Sequence, residues 1–252
     1  MSQRIARPEL PLDGILVLDF SQFLAGPVSA MRLADLGARV IKIERPGTGD
    51  IGRTLAFAGI ASDGDTLSFH IMNRNKESFA ADLKNENDKK DVLELIKKAD
   101  VIIQNFRPGV MERLGFGYEA VKAINPKIIY ASATGYGEKG PWKDRPGQDL
   151  LAQSITGFPW LNGSKNEPPI PVGIAIADIL TSIHIAHGVT ALLLRRERTG
   201  IGGFVDTSLA ESMLDLQFEL LSAHAFDDQL RVNRGPRNAA HAFLPAPYGI
   251  YP

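Results

Sequence analysis

Short apolar runs alternate with segments of helical periodicity along most of the chain. The first apolar run, 14–20, precedes a helical pattern at 28–36, for which Gly37 is the stop. A second apolar run, 39–44, follows at once. Because strand, helix and strand succeed one another within about thirty residues, this segment predicts a right-handed parallel crossover.

The same alternation recurs downstream and predicts an α/β fold with a mostly parallel sheet and flanking helices. Further strands are predicted at 78–83, 101–104, 128–132 and 204–207. Further helices are predicted at 87–97, 118–124, 149–156, 174–198 and 209–223. The length of 252 residues, 44% of them hydrophobic, suits one large domain or two small ones.

The composition argues against several classes of partner. Twenty-eight basic and 29 acidic residues give a formal charge of −1, so no global field favours nucleic acid or an anionic membrane surface. The absence of cysteine and of a continuous apolar N-terminal segment predicts a cytoplasmic protein. The most apolar stretch, 173–194, contains Asp178, His184 and His187, so we interpret it as a core helix rather than a membrane span.

The motifs of several cofactor and nucleophile sites are absent. The turn between Phe20 and Val28 has a single glycine and lacks the Gly-x-Gly-x-x-Gly dinucleotide fingerprint. The glycine-rich segment 135–140 lacks the Lys-Ser/Thr ending of a phosphate-binding loop, and no Gly-x-Ser-x-Gly elbow occurs. The five histidines show no metal-ligand pair around a glutamate, so we expect no metal site. Carboxylates are left as candidate catalytic groups.

Asp149 is the candidate carboxylate with the most suggestive position. It follows the predicted strand 128–132 and opens the predicted helix 149–156. Free backbone N–H groups and the positive end of the helix dipole favour an ionised carboxylate there, and chemistry commonly occurs at this edge of a parallel sheet. Aspartate is also a preferred helix cap, so from the residues alone a capping role is the more ordinary interpretation.

Several segments, in their order and spacing, resemble the class III CoA-transferase family, which includes an α-methylacyl-CoA racemase branch. The resemblance covers nearly the entire chain. Its segments are Val17-Leu-Asp-Phe with Ala25-Gly-Pro, 36–46 with Gly49-Asp50, Asn73-Arg-Asn-Lys76, 104–109, Gly135-Tyr-Gly with Gly140-Pro141, 146–149, and Arg198-Thr-Gly200.

The resemblance implies a particular architecture. It implies a large Rossmann-like CoA-binding domain over 1–225, and a linker with the start of a second, truncated domain over 226–252. Members of the family form interlocked homodimers, and the resemblance implies the same assembly here, with the small domain missing from this chain.

The resemblance also implies a chemistry. An aspartate takes the acyl group of acyl-CoA as a mixed anhydride, then becomes an aspartyl-CoA thioester before CoA passes to a carboxylic acid, including dicarboxylic acids. Asp149 matches that aspartate by motif. CoA and acyl-CoA act as substrates, and no permanently bound cofactor is expected. The residues that match the family's CoA site are Arg45, Asn73, Lys76, Asn105, Phe106 and Arg113.

Departures from the family pattern leave the substrate open. Leu24 stands where formyl-CoA transferase has a glutamine, and Thr134 where it has a lysine, so its substrates are not carried over. The absence of histidine between His70 and His184 disfavours the racemase branch. The alternatives are an acyl-CoA racemase or epimerase and a CoA-binding fragment without turnover. Asp178 is interpreted as a helix cap or a buried structural acid.

Overall fold

The computed structural model of the protein describes residues 10–55, 59–230, 234–236, 240–245 and 247–251. The N-terminal segment, whose composition supports the predicted cytoplasmic location, therefore lies almost wholly outside the described residues. The predicted linker and second domain, 226–252, lie partly outside them. The described strands are β1 (Leu16–Asp19), β2 (Arg39–Glu44), β3 (Ala61–Ser62), β4 (Asp65–Thr66), β5 (Lys76–Ala80), β6 (Val101–Gln104), β7 (Ile129–Thr134) and β8 (Gly203–Ser208).

The helices begin with α1 (Ala25–Asp35), the short 3-10 helix Ile51–Arg53, α2 (Leu67–Asn73) and α3 (Glu86–Ile96). They continue with α4 (Val110–Leu114), α5 (Tyr118–Ile124), α6 (Asp149–Ile155), α7 (Phe158–Leu161), α8 (Ile176–Thr199), α9 (Leu209–Leu216) and α10 (Phe218–Phe226).

Six strands form one sheet in the order β5-β2-β1-β6-β7-β8. Strand β1 pairs in parallel with β2 and β6, and the pairs β2–β5 and β6–β7 are also parallel. The predicted α/β fold with a mostly parallel, Rossmann-like sheet and flanking helices is therefore confirmed. The remaining strands, β3 and β4, form a separate antiparallel hairpin.

Successive residues of the strands point into two different cores, as the alternation of side chains in a strand requires. In β1, Val17 belongs to a cluster that includes residues of α1 and α8, whereas Leu18 belongs to a cluster with residues of α3 and α5. Both faces of the sheet are thus covered by helices, which explains why its central strands are apolar runs in the sequence.

The predicted helix 209–223 is wrong in one respect, because two helices, α9 and α10, occupy this segment. They are separated by Gln217, whose backbone angles (φ −102°, ψ 17°) leave the helical region and whose side-chain amide donates to the Met213 carbonyl oxygen. The apolar residues on both sides keep a helical spacing, so the break is invisible in the periodicity. The short elements α2, α4, α7 and the β3–β4 hairpin were also missed.

Helix α8 is long and apolar enough to cross a membrane by length and composition alone. Its side chains Ile185, Val189 and Leu193 lie in the core of the sheet, as the sequence interpretation of a core helix requires. A buried helix of a soluble fold passes the same length test, so the property has an explanation without a membrane.

The chain divides into two compact units. The first comprises 1–134 and 181–207 and contains β1 to β7 with α1 to α5. The second comprises 135–180 and 208–252 and contains α6, α7, α9 and α10 with the first residues of α8. The boundary predicted near residue 225 is a different one, between the large domain and a linker to a second domain. It stays a prediction.

A buried ionic cluster connects three adjacent strands of the first unit. The carboxylate of Asp19, in β1, lies 2.8 Å from the ammonium nitrogen of Lys76 in β5 and 3.7 Å from that of Lys42 in β2. Lys42 also pairs with Asp50 at 2.8 Å. None of the four side chains is more than 2% exposed. Two cations therefore face two carboxylates, as buried charges must if their desolvation is to be offset.

The cluster shifts the pKa of its members. Burial alone would raise the pKa of Asp19, but the nearby ammonium groups of Lys42 and Lys76 outweigh it and lower this pKa to about 2. Burial is the main cause that lowers the pKa of Lys76 to about 8, against the attraction of Asp19. Burial would also lower the pKa of Lys42, but Asp19 and Asp50 raise it overall.

The substitution Asp19→Asn is expected to lower the free energy of unfolding at neutral pH by about 3–5 kcal/mol, because it leaves buried ammonium groups without their counter-charge. Because the pKa of Asp19 is lower in the folded than in the unfolded state, its contribution is present above about pH 4 and is lost as the pH falls toward 2. Urea unfolding across this range should give a shallower pH dependence for the variant.

The matched control for this prediction is Glu77→Gln, which removes the exposed pair of Glu77 with Arg39. Exposed pairs contribute little to stability, so this variant should unfold like the parent protein. Equal stability of Asp19→Asn and Glu77→Gln would contradict the importance given to the buried cluster.

Candidate functional site

An open groove of roughly 990 Å³ lies in the first unit, where the parallel strands end. Its lining comes from the residues that follow or close four strands, namely Phe20 after β1, Ile43 and Glu44 in β2, Ala81 after β5 and Phe106 after β6. In open α/β sheets, ligands bind outside the carboxyl ends of the strands. The groove is therefore the candidate ligand site of this unit.

Four basic side chains line the groove. Arg45 and Arg113 were predicted from the sequence, whereas Lys84 and Lys89 were missed. Lys84 lies in the turn after β5 and Lys89 lies in α3, so both are solvated charges on a polar segment, and the sequence alone does not distinguish them from their neighbours. For Lys84, its position just after the predicted strand 78–83 was the available signal, whereas nothing in the sequence marked Lys89. A cluster of cations in a concave site is suited to a phosphate-bearing ligand.

The acidic residues of the groove are occupied by protein donors. Both carboxylate oxygens of Glu44 accept hydrogen bonds from Arg53, at 2.7 and 2.8 Å, and one also accepts from Ser78. Burial would raise the pKa of Glu44, but these hydrogen bonds lower it to about 2. Asp82 accepts the backbone N–H of Lys84 in its own turn. Lys89 pairs with Glu86 at 3.0 Å, whereas Arg45, Lys84 and Arg113 make no ion pair with any described residue and keep their charge available to a ligand.

Phe106 also lines the groove, so the structure brings three of the six predicted CoA-site residues together. Lys76 and Asn73 lie instead in the buried cluster. The ammonium group of Lys76 donates to Asp19, to the Pro27 carbonyl oxygen and to Asn73, each at 2.8 Å. All three of its hydrogens therefore have protein acceptors, and a contact of Lys76 or Asn73 with CoA stays a prediction.

Asn105 has a different environment again. Its side-chain oxygen accepts the Gln22 N–H at 2.8 Å, and its side-chain nitrogen donates to the Gln22 carbonyl oxygen at 2.7 Å. It therefore contacts the backbone of the loop after β1, and its direct contact with CoA also stays a prediction.

Asp149 lies in the second unit as the first residue of α6. One carboxylate oxygen accepts the side-chain N–H of Gln153, and the other accepts the backbone N–H of Asp178 at 3.0 Å. Since Asp178 is in the first turn of α8, Asp149 satisfies one of the free N–H groups at the start of that helix. The carboxylate is thus held between the N-terminal ends of two helices.

Asp178 was interpreted from the sequence as a helix cap or a buried structural acid, and its backbone N–H is itself capped by Asp149. Asp178 itself is a half-buried acid in the first turn of a 24-residue helix. The positive end of such a helix stabilises an ionised carboxylate. Sequence reasoning set this residue aside because an acid near a helix start is commonplace. The backbone N–H of Asp178 contacts Asp149, and the predicted role of Asp149 as nucleophile stays a prediction.

The loop that leads to Asp149 is closed at its base by two glycines. A Cβ atom on Gly147 would lie 2.3 Å from the Cα of Gly135, and a Cβ on Gly135 would lie 2.4 Å from the Cα of Gly147. Between them, the Trp142 ring packs edge-on against Tyr136 and under the guanidinium of Arg145. Only glycine at both positions lets the two ends of the loop come this close, and one of these ends lies two residues before Asp149.

Within the described ranges, no group of three or more histidine, aspartate or glutamate side chains is arranged to hold a metal ion.

Comparison with known proteins gives the family. The profile of CoA-transferase family III matches residues 12–252. An acetyl-CoA:oxalate CoA-transferase from Acetobacter aceti is 43% identical over 210 residues, which are 83% of this chain and 53% of that protein. A succinyl-CoA:glutarate CoA-transferase from Homo sapiens is 39% identical over 206 residues, 81% of this chain and 46% of that protein. The chain spans about half the length of these relatives.

The structural comparison agrees with the sequence comparison. A CaiB/BaiF family protein from Brucella suis matches with a TM-score of 0.86 and 36% identity, over 96% of this chain and 63% of that one. The family profile, which extends over nearly all of the chain, and the two relatives at about 40% identity confirm the resemblance noted in the sequence: the chain belongs to CoA-transferase family III.

Proposed function

We propose that this chain forms part of an enzyme that transfers CoA from an acyl-CoA to a carboxylic acid through an aspartate carboxylate. Family membership and the cationic groove support the use of acyl-CoA as substrate. The observation that carries the covalent route is the placement of the Asp149 carboxylate at the starts of α6 and α8, because its hydrogen bonds to Gln153 and to the backbone N–H of Asp178 fix its orientation.

The proposed reaction balances without any further reactant. A carboxylate oxygen of the aspartate attacks the thioester carbonyl and the carbon–sulfur bond breaks. CoA leaves as its thiolate, and the aspartate now carries the acyl group as a mixed anhydride. The thiolate then attacks the aspartyl carbonyl, which releases the donor acid and forms an aspartyl-CoA thioester. The acceptor carboxylate attacks this thioester, and the same two steps in reverse order yield the new acyl-CoA and restore the aspartate.

Asp149 is the proposed acyl carrier. Its carboxylate is oriented by the side-chain N–H of Gln153 and by the backbone N–H of Asp178. Donors at a helix start can also stabilise the oxyanion that develops when the thioester carbonyl is attacked. In this proposal Asp178 supplies the backbone N–H that positions Asp149.

The groove is proposed to hold the phosphate-rich end of CoA. Arg45, Lys84, Lys89 and Arg113 supply four cations, and Phe106 supplies an aromatic surface for a base or an apolar chain. The proposal thus extends the predicted phosphate contacts to two lysines that the family motifs did not single out.

Dicarboxylic acids are the proposed acceptors. The relatives named for oxalate, glutarate and mesaconate support this choice of substrate class. An interlocked homodimer and a cytoplasmic location stay predictions.

The two aspartates are expected to respond differently to substitution. Asp149→Asn should lower the rate of CoA transfer by at least about a thousandfold and leave CoA affinity unchanged, because the variant lacks the attacking oxygen. Asp178→Asn should lower the rate by only about tenfold, since the backbone N–H that contacts Asp149 is retained. The measurement is formation of a new CoA ester from succinyl-CoA and a panel of free acids.

Each other result has a definite meaning. A thousandfold loss confined to Asp178→Asn would move the carrier role to that residue. Near-parental transfer by both variants would overturn the covalent route. Entry of solvent deuterium at the α-carbon of the acyl group, with no new ester from the parent protein, would replace CoA transfer by racemisation.

The groove cations are expected to govern CoA affinity. Lys84→Ala and Arg113→Ala should each weaken CoA binding roughly tenfold, because a charge-assisted hydrogen bond to phosphate is lost, and each should flatten the salt dependence of the affinity. The matched control is Arg198→Ala, which removes an exposed cation near the end of α8 and outside the groove. Calorimetric titration at two ionic strengths that gave parental affinity for both groove variants would contradict this use of the groove.

A further inference from the structure

We propose that the side-chain amide of Gln22 binds CoA in the groove, and that Asn105 is a positioning residue that holds Gln22 in place. This inference rests on the proposed function, since it takes CoA as the ligand. It assigns a contact to a residue outside the family motifs, and it gives Asn105 an indirect role in place of the direct contact implied by the resemblance.

The first step is the pairing of Asn105 with the backbone of Gln22. The two hydrogen bonds, at 2.8 and 2.7 Å, use both polar atoms of the Asn105 side chain and both polar atoms of the Gln22 backbone. Asn105 therefore has its principal donor and acceptor committed within the protein. What remains available from Gln22 is its side chain.

The preceding residue is fixed in the same way. The N–H and hydroxyl groups of Ser21 both donate to Asp19, and the ammonium group of Lys42 donates to the Ser21 carbonyl oxygen at 2.7 Å. Two consecutive residues of the loop after β1 are thus held by side chains from β1, from β2 and from the end of β6. Two members of the buried ionic cluster, Asp19 and Lys42, supply the bonds to Ser21.

The next residue, Phe23, has a backbone conformation that its side chain disfavours. Phe23 has φ 66°, a left-handed conformation that is costly for a bulky side chain, and it is 54% exposed, so no core packing accounts for its conformation. Strained residues persist where the surroundings over-determine them, and they cluster at ligand sites. Gly26 allows this course of the chain, because a Cβ there would lie 2.2 Å from that of Ser21.

The side chain of Gln22 is what the loop presents to the groove. It lines the groove and is half-buried. Its amide makes no hydrogen bond to any residue in the part of the chain that the structure describes. A polar group on a rigid backbone, in a concave site and without a protein partner, is suited to bind a ligand.

The chemistry of the amide indicates which part of CoA it binds. A carboxamide offers one donor and one acceptor side by side, which complements a group with the same pair. Adenine has such a pair at its edge, where the amino group lies beside a ring nitrogen. Each amide of the pantetheine arm points its N–H and its carbonyl oxygen in opposite directions, so it offers the carboxamide only one of the two groups at a time. The adenine edge is therefore the better complement, and fragments of CoA distinguish it from the pantetheine amides.

The test is a double-mutant cycle read by calorimetric titration with CoA, with 3′,5′-ADP and with pantetheine. Gln22→Ala should weaken CoA binding roughly tenfold and should weaken binding of one fragment while sparing the other. Asn105→Ala should weaken CoA binding by a similar factor. The double variant should be no weaker than Gln22→Ala, because Asn105 acts through Gln22. Gln229→Ala, an exposed glutamine outside the groove, is the matched control and should bind CoA like the parent protein.

The outcomes separate this inference from the function on which it rests. If the parent protein binds neither CoA nor either fragment, the proposed function fails. If the parent binds CoA and Gln22→Ala binds it equally well, the contact of Gln22 is overturned. Independent, multiplying losses from the two substitutions would overturn the positioning role of Asn105. Asn105→Asp keeps the acceptor for the Gln22 N–H and should lose less affinity than Asn105→Ala. This second variant keeps the proposal testable if Asn105→Ala fails to fold.

Discussion

The buried contact of Asp19 with Lys42 and Lys76 is the interaction on which the ligand-binding edge of the sheet depends. It connects β1, β2 and β5, it holds the Ser21 carbonyl oxygen through Lys42, and through Lys76 it reaches the Pro27 carbonyl oxygen at the start of α1. Apolar side chains could fill the same volume at lower cost in desolvation, but they could not hold backbone oxygens. The cluster therefore serves geometry as well as stability, because its lysines bind backbone oxygens of the loop after β1 and of α1.

That constraint explains the division of polar groups around the groove. Charges that support the loop are buried and balanced within the protein. At the groove, Arg45, Lys84 and Arg113 make no ion pair with any described residue, and Lys89 pairs with Glu86 at 3.0 Å. A chain with a net charge near zero can thus carry a local anion site. In the second unit, the Asp149 carboxylate accepts the backbone N–H of Asp178 at the start of α8.

The elements set by periodicity could be predicted from the sequence, and those set by single contacts could not. The bounds of β2, β6 and α5 agree with the apolar and helical patterns because these segments bury one or two faces along their whole length. The break at Gln217 depends on backbone angles at one residue, so the pattern missed it. For the site, motifs identified Arg45, Phe106 and Arg113 at the groove, but the pairing of Asn105 with Gln22 spans 83 positions and has no local signature.

The central claim is that an aspartate of this protein carries the acyl group, and the fate of one oxygen atom tests it most directly. Turnover with an acceptor acid labelled with oxygen-18 should leave a labelled oxygen on that aspartate, because the bridging oxygen of the second anhydride stays with the enzyme when CoA attacks the acceptor carbonyl. Trypsin cleaves after Lys165 and so separates Asp149 from Asp178 before mass analysis. The account predicts label in the peptide that contains Asp149, dependent on acyl-CoA. Active turnover that leaves every aspartate of the protein unlabelled would contradict it.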